Sequence, residues 1–185
     1  MAVNLGVQHI SLYGLKIEEG CYFYENMPTN LPDDDEQADM YLEAIQTLKD
    51  LRFEHYEVSN FALPGRRSKH NSSYWNDTPY IGLGAGAHSY DGQVRSWNIS
   101  DLDQYIAQAL AHDLQPEKEV LSEEDRKTER VMLGLRTNQG IANDEIDRSK
   151  VQPYIHKGLL EEKDNRIVAT TKGYHILNRI IEDLI

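Results

Sequence analysis

Ala38, Tyr41, Leu42, Ile45, Leu48 and Leu51 recur every three or four residues, and a helix is the structure that gathers such positions onto one face. Leu31-Pro32 followed by Asp33-Asp34-Asp35-Glu36 marks its start, because acidic groups favour the positive end of a helix dipole. The spacing therefore predicts an amphipathic helix over 34–52. His9-Ile10-Ser11-Leu12-Tyr13, bounded by Gly14, reads as a strand before it, and Phe53 to Val58 reads as a strand after it. Strand, helix, strand in that order is a βα repeat. It predicts an α/β chain with a parallel sheet or part of a barrel.

A chain of 185 residues holds one large domain or two small ones, and 39% apolar residues suffice for a core. The longest apolar runs are a few residues, so no membrane span is expected. The first residues, Met1-Ala2-Val3-Asn4-Leu5-Gly6, have neither the basic nor the apolar region of a signal peptide. Cys21 is the only cysteine, which rules out an intrachain disulfide and any all-cysteine cluster or zinc site. These features fit a cytoplasmic location. The net charge of -12 is uneven. Residues 1–119 carry 19 acidic and 8 basic side chains, and residues 120–185 carry 12 and 11. The first part repels a phosphate backbone over most of its surface.

Residues 59–79 show no regular period and contain Pro64, Gly65, Asn71, Asn76 and Pro79, so they read as a long loop of the functional kind. A second helix is expected from Ser100, on Leu102, Tyr105, Ile106, Ala109 and Leu110. Pro116 and the charged stretch to Glu119 read as a linker, which divides the chain into domains 1–118 and 119–185. In the second domain Ser122 caps a helix with Asp125 in a capping-box position, and Val131, Met132 and Leu135 form its stripe up to Gly140. Asn143 is expected to cap the next helical region, and Gly158 to stop the one after it. Leu159-Leu160 and Ile167-Val168-Ala169 flank the turn Asp164-Asn165 as a hairpin. Thr170 caps a last helix with Tyr174, Leu177, Ile180, Ile181 and Leu184. Helices, a hairpin and a closing helix describe a small winged-helix-like α+β module. Its Arg148, Lys150 and Lys157 are interspersed with Asp144, Glu145 and Asp147, a mixture poor for gripping phosphates, so packing or protein interaction is expected rather than nucleic-acid binding.

The chemistry concentrates in His70-Asn71-Ser72-Ser73-Tyr74-Trp75 and the Gly65-Arg66-Arg67-Ser68-Lys69 before it. An imidazole is a standard axial ligand of haem iron. Tyr74 and Trp75 offer large apolar faces to a flat macrocycle, and Arg66, Arg67 and Lys69 can pair with its carboxylates. The plain alternative is a loop anchored by Trp75 with solvated cations. Gly82, Gly84 and Gly86 alternate with Ile81, Leu83, Ala85 and Ala87. This permits close backbone approach, either to a ligand or to a neighbouring element. The spacing is not a dinucleotide fingerprint. His88 is read as a second ligand or, more simply, a hydrogen-bonded structural group. Glu18, Glu19 and Glu57 are not paired as an acid and a base, and neither a G-x-S-x-G nor a P-loop is present.

Four segments in order, His9-Ile10-Ser11-Leu12-Tyr13-Gly14-Leu15, Tyr56-Glu57-Val58-Ser59-Asn60-Phe61-Ala62, His70 to Trp75, and Gly82-Leu83-Gly84-Ala85-Gly86-Ala87-His88-Ser89, resemble the oxygen-independent coproporphyrinogen III oxidase-like radical SAM proteins. The H-N-x-x-Y-W hexapeptide resembles the haem-chaperone branch rather than the decarboxylating oxidase. The resemblance covers the whole chain but only the second half of a family member. It implies the C-terminal part of a radical SAM barrel followed by the family's C-terminal domain. It implies haem as ligand, with His70 on the iron and Asn71, Tyr74 and Trp75 shaping the site, and haem-accepting client proteins as partners. It also implies a 4Fe-4S cluster and S-adenosylmethionine in the parent, with Leu15, Lys16 and the Gly84-Ala85-Gly86 segment near the latter. The family's C-x-x-x-C-x-x-C motif is missing here, so the chain is expected to be a truncated product or fragment unable to perform radical chemistry alone. An uncovered sheet edge then invites self-association.

Overall fold

The computed structural model describes residues 2–185. In chain order the elements are a 3-10 turn Ala2–Leu5, β1 His9–Ser11, α1 Tyr22–Glu25, α2 Asp34–Asp50, β2 Glu54–Glu57, β3 Asn60–Ala62, α3 Lys69–Trp75, β4 His88–Tyr90, β5 Val94–Trp97, α4 Leu102–Leu110, β6 Glu117–Val120, α5 Glu123–Gly134, β7 Ile141–Ala142, α6 Arg148–His156, β8 Leu160–Lys163, β9 Arg166–Ala169, α7 Thr171–Tyr174 and α8 Leu177–Leu184. They form two compact units. One runs to Ser68 and resumes over Leu135–Leu184; the other is Lys69–Gly134 with Ile185.

In the first unit, α2 begins where the aspartates put it. Asp33 is the N-cap and accepts from the Glu36 amide at 2.8 Å, while the Glu36 side chain accepts from the Asp33 amide at 3.0 Å. This is a capping box, which satisfies two orphan amides at once. The inner face of α2 buries Ile45 and Leu48 against Phe53 and Phe61, with Ile10, Leu12, Tyr41 and Leu42 around them.

The expected parallel pairing is corrected by the sheet itself. Its order is β1-β3-β2, and both pairs are antiparallel. β2 and β3 are joined by Val58-Ser59 alone, too short for anything but a hairpin. The return strand β3 therefore lies between β1 and β2, which run in the same direction without touching as a pair. No two strands pair in parallel among the described residues. Beyond β2 the backbone continues to pair. Val58 donates to the Arg136 carbonyl at 2.9 Å and Asn138 to the Tyr56 carbonyl at 3.0 Å.

The rest of this unit carries a second sheet of order β7-β9-β8, also antiparallel. Asp164 and Asn165 both adopt positive φ at the β8–β9 turn, as their short polar side chains allow. Thr170 caps α7, accepting from the Gly173 amide at 3.0 Å, and Gly158 follows α6 at φ +67°. Leu177, Ile180, Ile181 and Leu184 of α8 are buried. Two expectations fail here. No helix follows Asn143, since residues 143–146 are turn and bend, and α6, the helix that Gly158 follows, is capped by Asp147, which accepts from the Ser149 amide at 2.8 Å. The helix opened by Ser122 ends at Gly134, well before Gly140.

The second unit holds the antiparallel sheet β4-β5-β6. The stretch read as a linker is β6: Val120 faces Val94, and Glu119 faces Arg95. Its side chains are exposed, so only backbone pairing makes it a strand. Ser122 caps α5 as expected, its hydroxyl 3.1 Å from the Asp125 amide that donates to it. Arg95 reaches α5 and donates to both carboxylate oxygens of Glu129 at 2.8 and 2.9 Å.

Candidate functional site

The stretch read as an irregular loop contains a seven-residue helix, α3, and this decides the geometry of the hexapeptide. Residues four apart on a helix lie on one face. His70 and Tyr74 therefore meet, with ring centroids 5.1 Å apart at 82° and Tyr74 Oη 3.1 Å from His70 Nε2. Both are exposed, Tyr74 to 43%. Asn71 and Trp75 share the helix and are half-buried. Tyr74 also lies edge-on to Tyr80, 5.0 Å between centroids at 80°. Tyr80 is itself fixed to the sheet, exchanging backbone hydrogen bonds of 2.8 and 2.9 Å with Tyr90. Tyr80 escaped the sequence reading because nothing in its neighbourhood announces a contact six residues upstream.

The cations divide. Lys69 opens α3 and is exposed, and Arg66 is exposed at the end of the first unit. Neither has an ion-pair partner among the described residues, so both are available to an anion. Arg67 is already engaged: Nε and Nη2 donate to Glu54 Oε2 at 3.1 and 3.0 Å, and Nη1 donates to Asn138 Oδ1 at 3.2 Å. Its guanidinium also lies 5.5 Å from the centre of the Tyr56 ring. Tyr56 Oη is 2.8 Å from His9 Nε2, and burial pushes the phenol up from its ordinary value. These partners come from β1, β2 and residue 138, too distant in sequence to be foreseen. Arg66 and Arg67 belong to one unit and His70 to the other, the division falling after Ser68.

The glycine segment is a series of turns rather than a strand. A Cβ on Gly82 would collide with the His88 carbonyl, which is why that position carries none. Gly86 has φ +67° and donates to the Ile99 carbonyl at 2.9 Å. The Gly84 amide donates to Tyr105 Oη at 3.2 Å and its carbonyl accepts from Asn98 Nδ2 at 2.9 Å, with Ala85 between them at the turn. His88 is exposed and stacks on Trp97, 5.7 Å between ring centroids at 26°. Leu15 and Lys16 follow β1 in the first unit. Leu15 lines an open groove of about 580 Å³ with Leu12, Tyr13, Leu31, Met40 and Ala44. Lys16 pairs with Glu18 at 2.7 Å, and that carboxylate raises the ammonium pKa. No group of three or more His, Cys, Asp or Glu among the described residues can hold a metal ion, and no helix there is long and apolar enough to cross a membrane.

The family model described as the HemN C-terminal domain matches residues 121–176. The heme chaperone HemW of Lactococcus lactis is 32% identical over 194 residues, covering 97% of this chain and 51% of that protein. HemW of Bacillus subtilis is 30% identical over 195 residues, with coverage of 97% and 51%. The mitochondrial radical S-adenosyl methionine domain-containing protein 1 of Bos taurus is 34% identical over 147 residues, 73% of this chain and 33% of that one. Among solved structures, the coproporphyrinogen III oxidase HemN of Escherichia coli, a radical SAM enzyme, superposes with a TM-score of 0.72 at 17% identity, over 98% of this chain and 49% of that one. The chain thus spans about half the length of these full-coverage relatives, and the fold is that of HemN. It belongs to the coproporphyrinogen III oxidase-like radical SAM family, in its haem-chaperone branch, and carries that branch's C-terminal half.

Proposed function

We propose that this chain binds haem and hands it to client proteins, in the cytoplasm, with His70 as the axial ligand of the iron. The observation that supports this most is α3 itself. It presents an exposed imidazole and an exposed phenol ring on one face, with Trp75 on the same short helix and the unpaired Lys69 at its start. An imidazole ligand, aromatic surface and nearby cations match iron, macrocycle and propionates in turn. Arg66, at the end of the other unit, is exposed and has no ion-pair partner among the described residues, which leaves it free to meet an anion. Arg67 would have to leave Glu54 to take part, so its role is to hold the segment before α3. Asn71 and Trp75 shape the site from the same helix. Relatives named as heme chaperones make delivery, rather than storage, the fitting activity.

For S-adenosylmethionine in a longer protein of this family, the candidate segments are Leu15-Lys16 in one unit and the turn Gly84-Ala85-Gly86 in the other, each taken by itself. The 4Fe-4S cluster does not fit the residues of this chain, which has Cys21 alone, so no radical step is assigned to it. We also propose a domain division after residue 118, which a matched C-terminal segment starting at 121 supports. Oxidative decarboxylation of coproporphyrinogen III is the second reading, favoured by the likeness to HemN and by the same propionate-seeking cations.

The test is a haem titration followed at the Soret band. His70→Ala lies on an exposed position and leaves folding intact, yet removes the ligand, so the Soret shift disappears and affinity falls at least tenfold. An unchanged titration sinks the assignment.

A further inference from the structure

His70 is not a waiting ligand. Its Nε2, the ring nitrogen farther from the backbone, is occupied by the Tyr74 hydroxyl at 3.1 Å. An imidazole nitrogen has one lone pair or one proton to offer, never both. If Tyr74 donates, the lone pair that iron needs is taken. If Nε2 donates to Tyr74, that nitrogen carries a proton and has no lone pair. Either arrangement closes Nε2 to a metal.

The hydroxyl is held there by more than a free surface rotamer. The Tyr74 ring is wedged edge-on between His70 and Tyr80, and Tyr80 is tied by two backbone hydrogen bonds to Tyr90 of β4. Helical spacing fixes the donor and acceptor on one face, and the ring contacts fix the phenol direction.

We propose that Tyr74 is a latch on the haem ligand: its hydroxyl keeps His70 Nε2 closed in the empty protein, and iron enters by displacing it. The proposal rests on the assignment of His70 as ligand and adds a positioning residue to it. For a carrier the latch has a use. Loading costs one hydrogen bond, and that bond re-forms when the cargo leaves, which weakens retention and favours hand-over. An exposed neutral hydrogen bond contributes a modest net free energy, equivalent to about fivefold in an equilibrium constant.

The experiment compares hemin binding by the full chain, Tyr74→Phe, His70→Ala and Tyr80→Phe. Tyr74→Phe keeps the ring and its packing and removes only the latch. It is expected to bind hemin about fivefold more tightly than the native chain and to release it more slowly to excess apomyoglobin. Tyr80→Phe keeps the edge contact, makes none with His70, and is expected to bind as the native chain does. A readout without haem accompanies these. The His70 side-chain nitrogen resonances in the empty protein should shift for Nε2 on removing the Tyr74 hydroxyl, as loss of a hydrogen bond at that atom requires. Equal or weaker hemin binding by Tyr74→Phe, with His70→Ala still abolishing the Soret shift, overturns the latch and leaves the ligand standing. Unchanged binding by His70→Ala overturns both.

Discussion

His55 shows how one side chain couples this fold to pH. Its ring stacks on Phe61 at 4.4 Å and 13°, lies 4.7 Å from Tyr174, and meets Tyr41 edge-on at 6.1 Å. Burial in this aromatic niche lowers the imidazole pKa from its ordinary 6.5, while backbone hydrogen bonds at Val58 and Glu57 pull the other way and lose. The unfolded chain therefore takes up a proton at a pH where the folded one does not. Stability is complete above about pH 6.5 and declines as pH falls below it toward the lowered folded value. Asp91, Asp125 and Asp147 also titrate below their usual values, held down by hydrogen bonds, but they act only under pH 3.8, outside this window. His55→Phe keeps the stack on Phe61 and removes the titrating group. Its urea midpoint is expected to fall less between pH 7 and pH 5 than that of the native chain. Equal slopes for the two proteins would assign the acid sensitivity elsewhere. None of this is legible in sequence, where His55 is one position in a six-residue strand pattern. The niche is made by α2, β3 and α7, and Tyr174 is more than a hundred residues away.

At the scale of elements, legibility follows how local the cause is. Asp33 and Glu36, three residues apart, announce the start of α2, and Asp164-Asn165 announces the β8–β9 turn, because the donors, acceptors and φ values involved lie within one turn of chain. β6 is the opposite case. Glu117-Lys118-Glu119-Val120 has no alternating pattern and no burial, and becomes a strand only because β5 offers it a backbone edge. α3 is missed for a related reason: at seven residues it is shorter than the two turns an apolar stripe needs to declare itself, and it buries no residue. That omission matters most for function, since the helix and not the loop brings His70 to Tyr74. The legible element supplies the cleaner energetic test. Asp33→Ala removes the side-chain acceptor for the Glu36 amide and half of the capping box. A loss of about 1 kcal/mol in urea unfolding is expected, and Asp33→Ser, which keeps an acceptor, should recover most of it. A loss within error for Asp33→Ala would show that α2 is held by its buried face alone.

For the molecule as a whole, the question is what covers the surface around β1. That strand forms one edge of the β1-β3-β2 sheet, and no strand pairs with its outer side among the described residues. Beside it runs the groove lined by Tyr13, Leu15, Leu31 and Met40, in which Leu15 is 57% and Met40 61% exposed. An open backbone edge next to a continuous apolar hollow is the combination that soluble proteins avoid or cover. Relatives are about twice as long as this chain, so their additional residues offer one cover; for the chain alone a second copy is the available one. The net charge of -12 opposes association over long distances, so adding salt should strengthen it. Sedimentation velocity is expected to show an apparent mass that grows with protein concentration and with ionic strength. Leu15→Glu combined with Met40→Glu places two charges in the hollow without touching the buried Ile45, Leu48, Phe53 and Phe61, and should hold the chain at the mass of a single copy. A native chain that stays monomeric at its highest soluble concentration in both low and high salt would show that edge and groove are tolerated bare. The haem site proposed on α3 lies in the other unit, so hemin binding by the double variant should match the native chain, separating assembly from cargo.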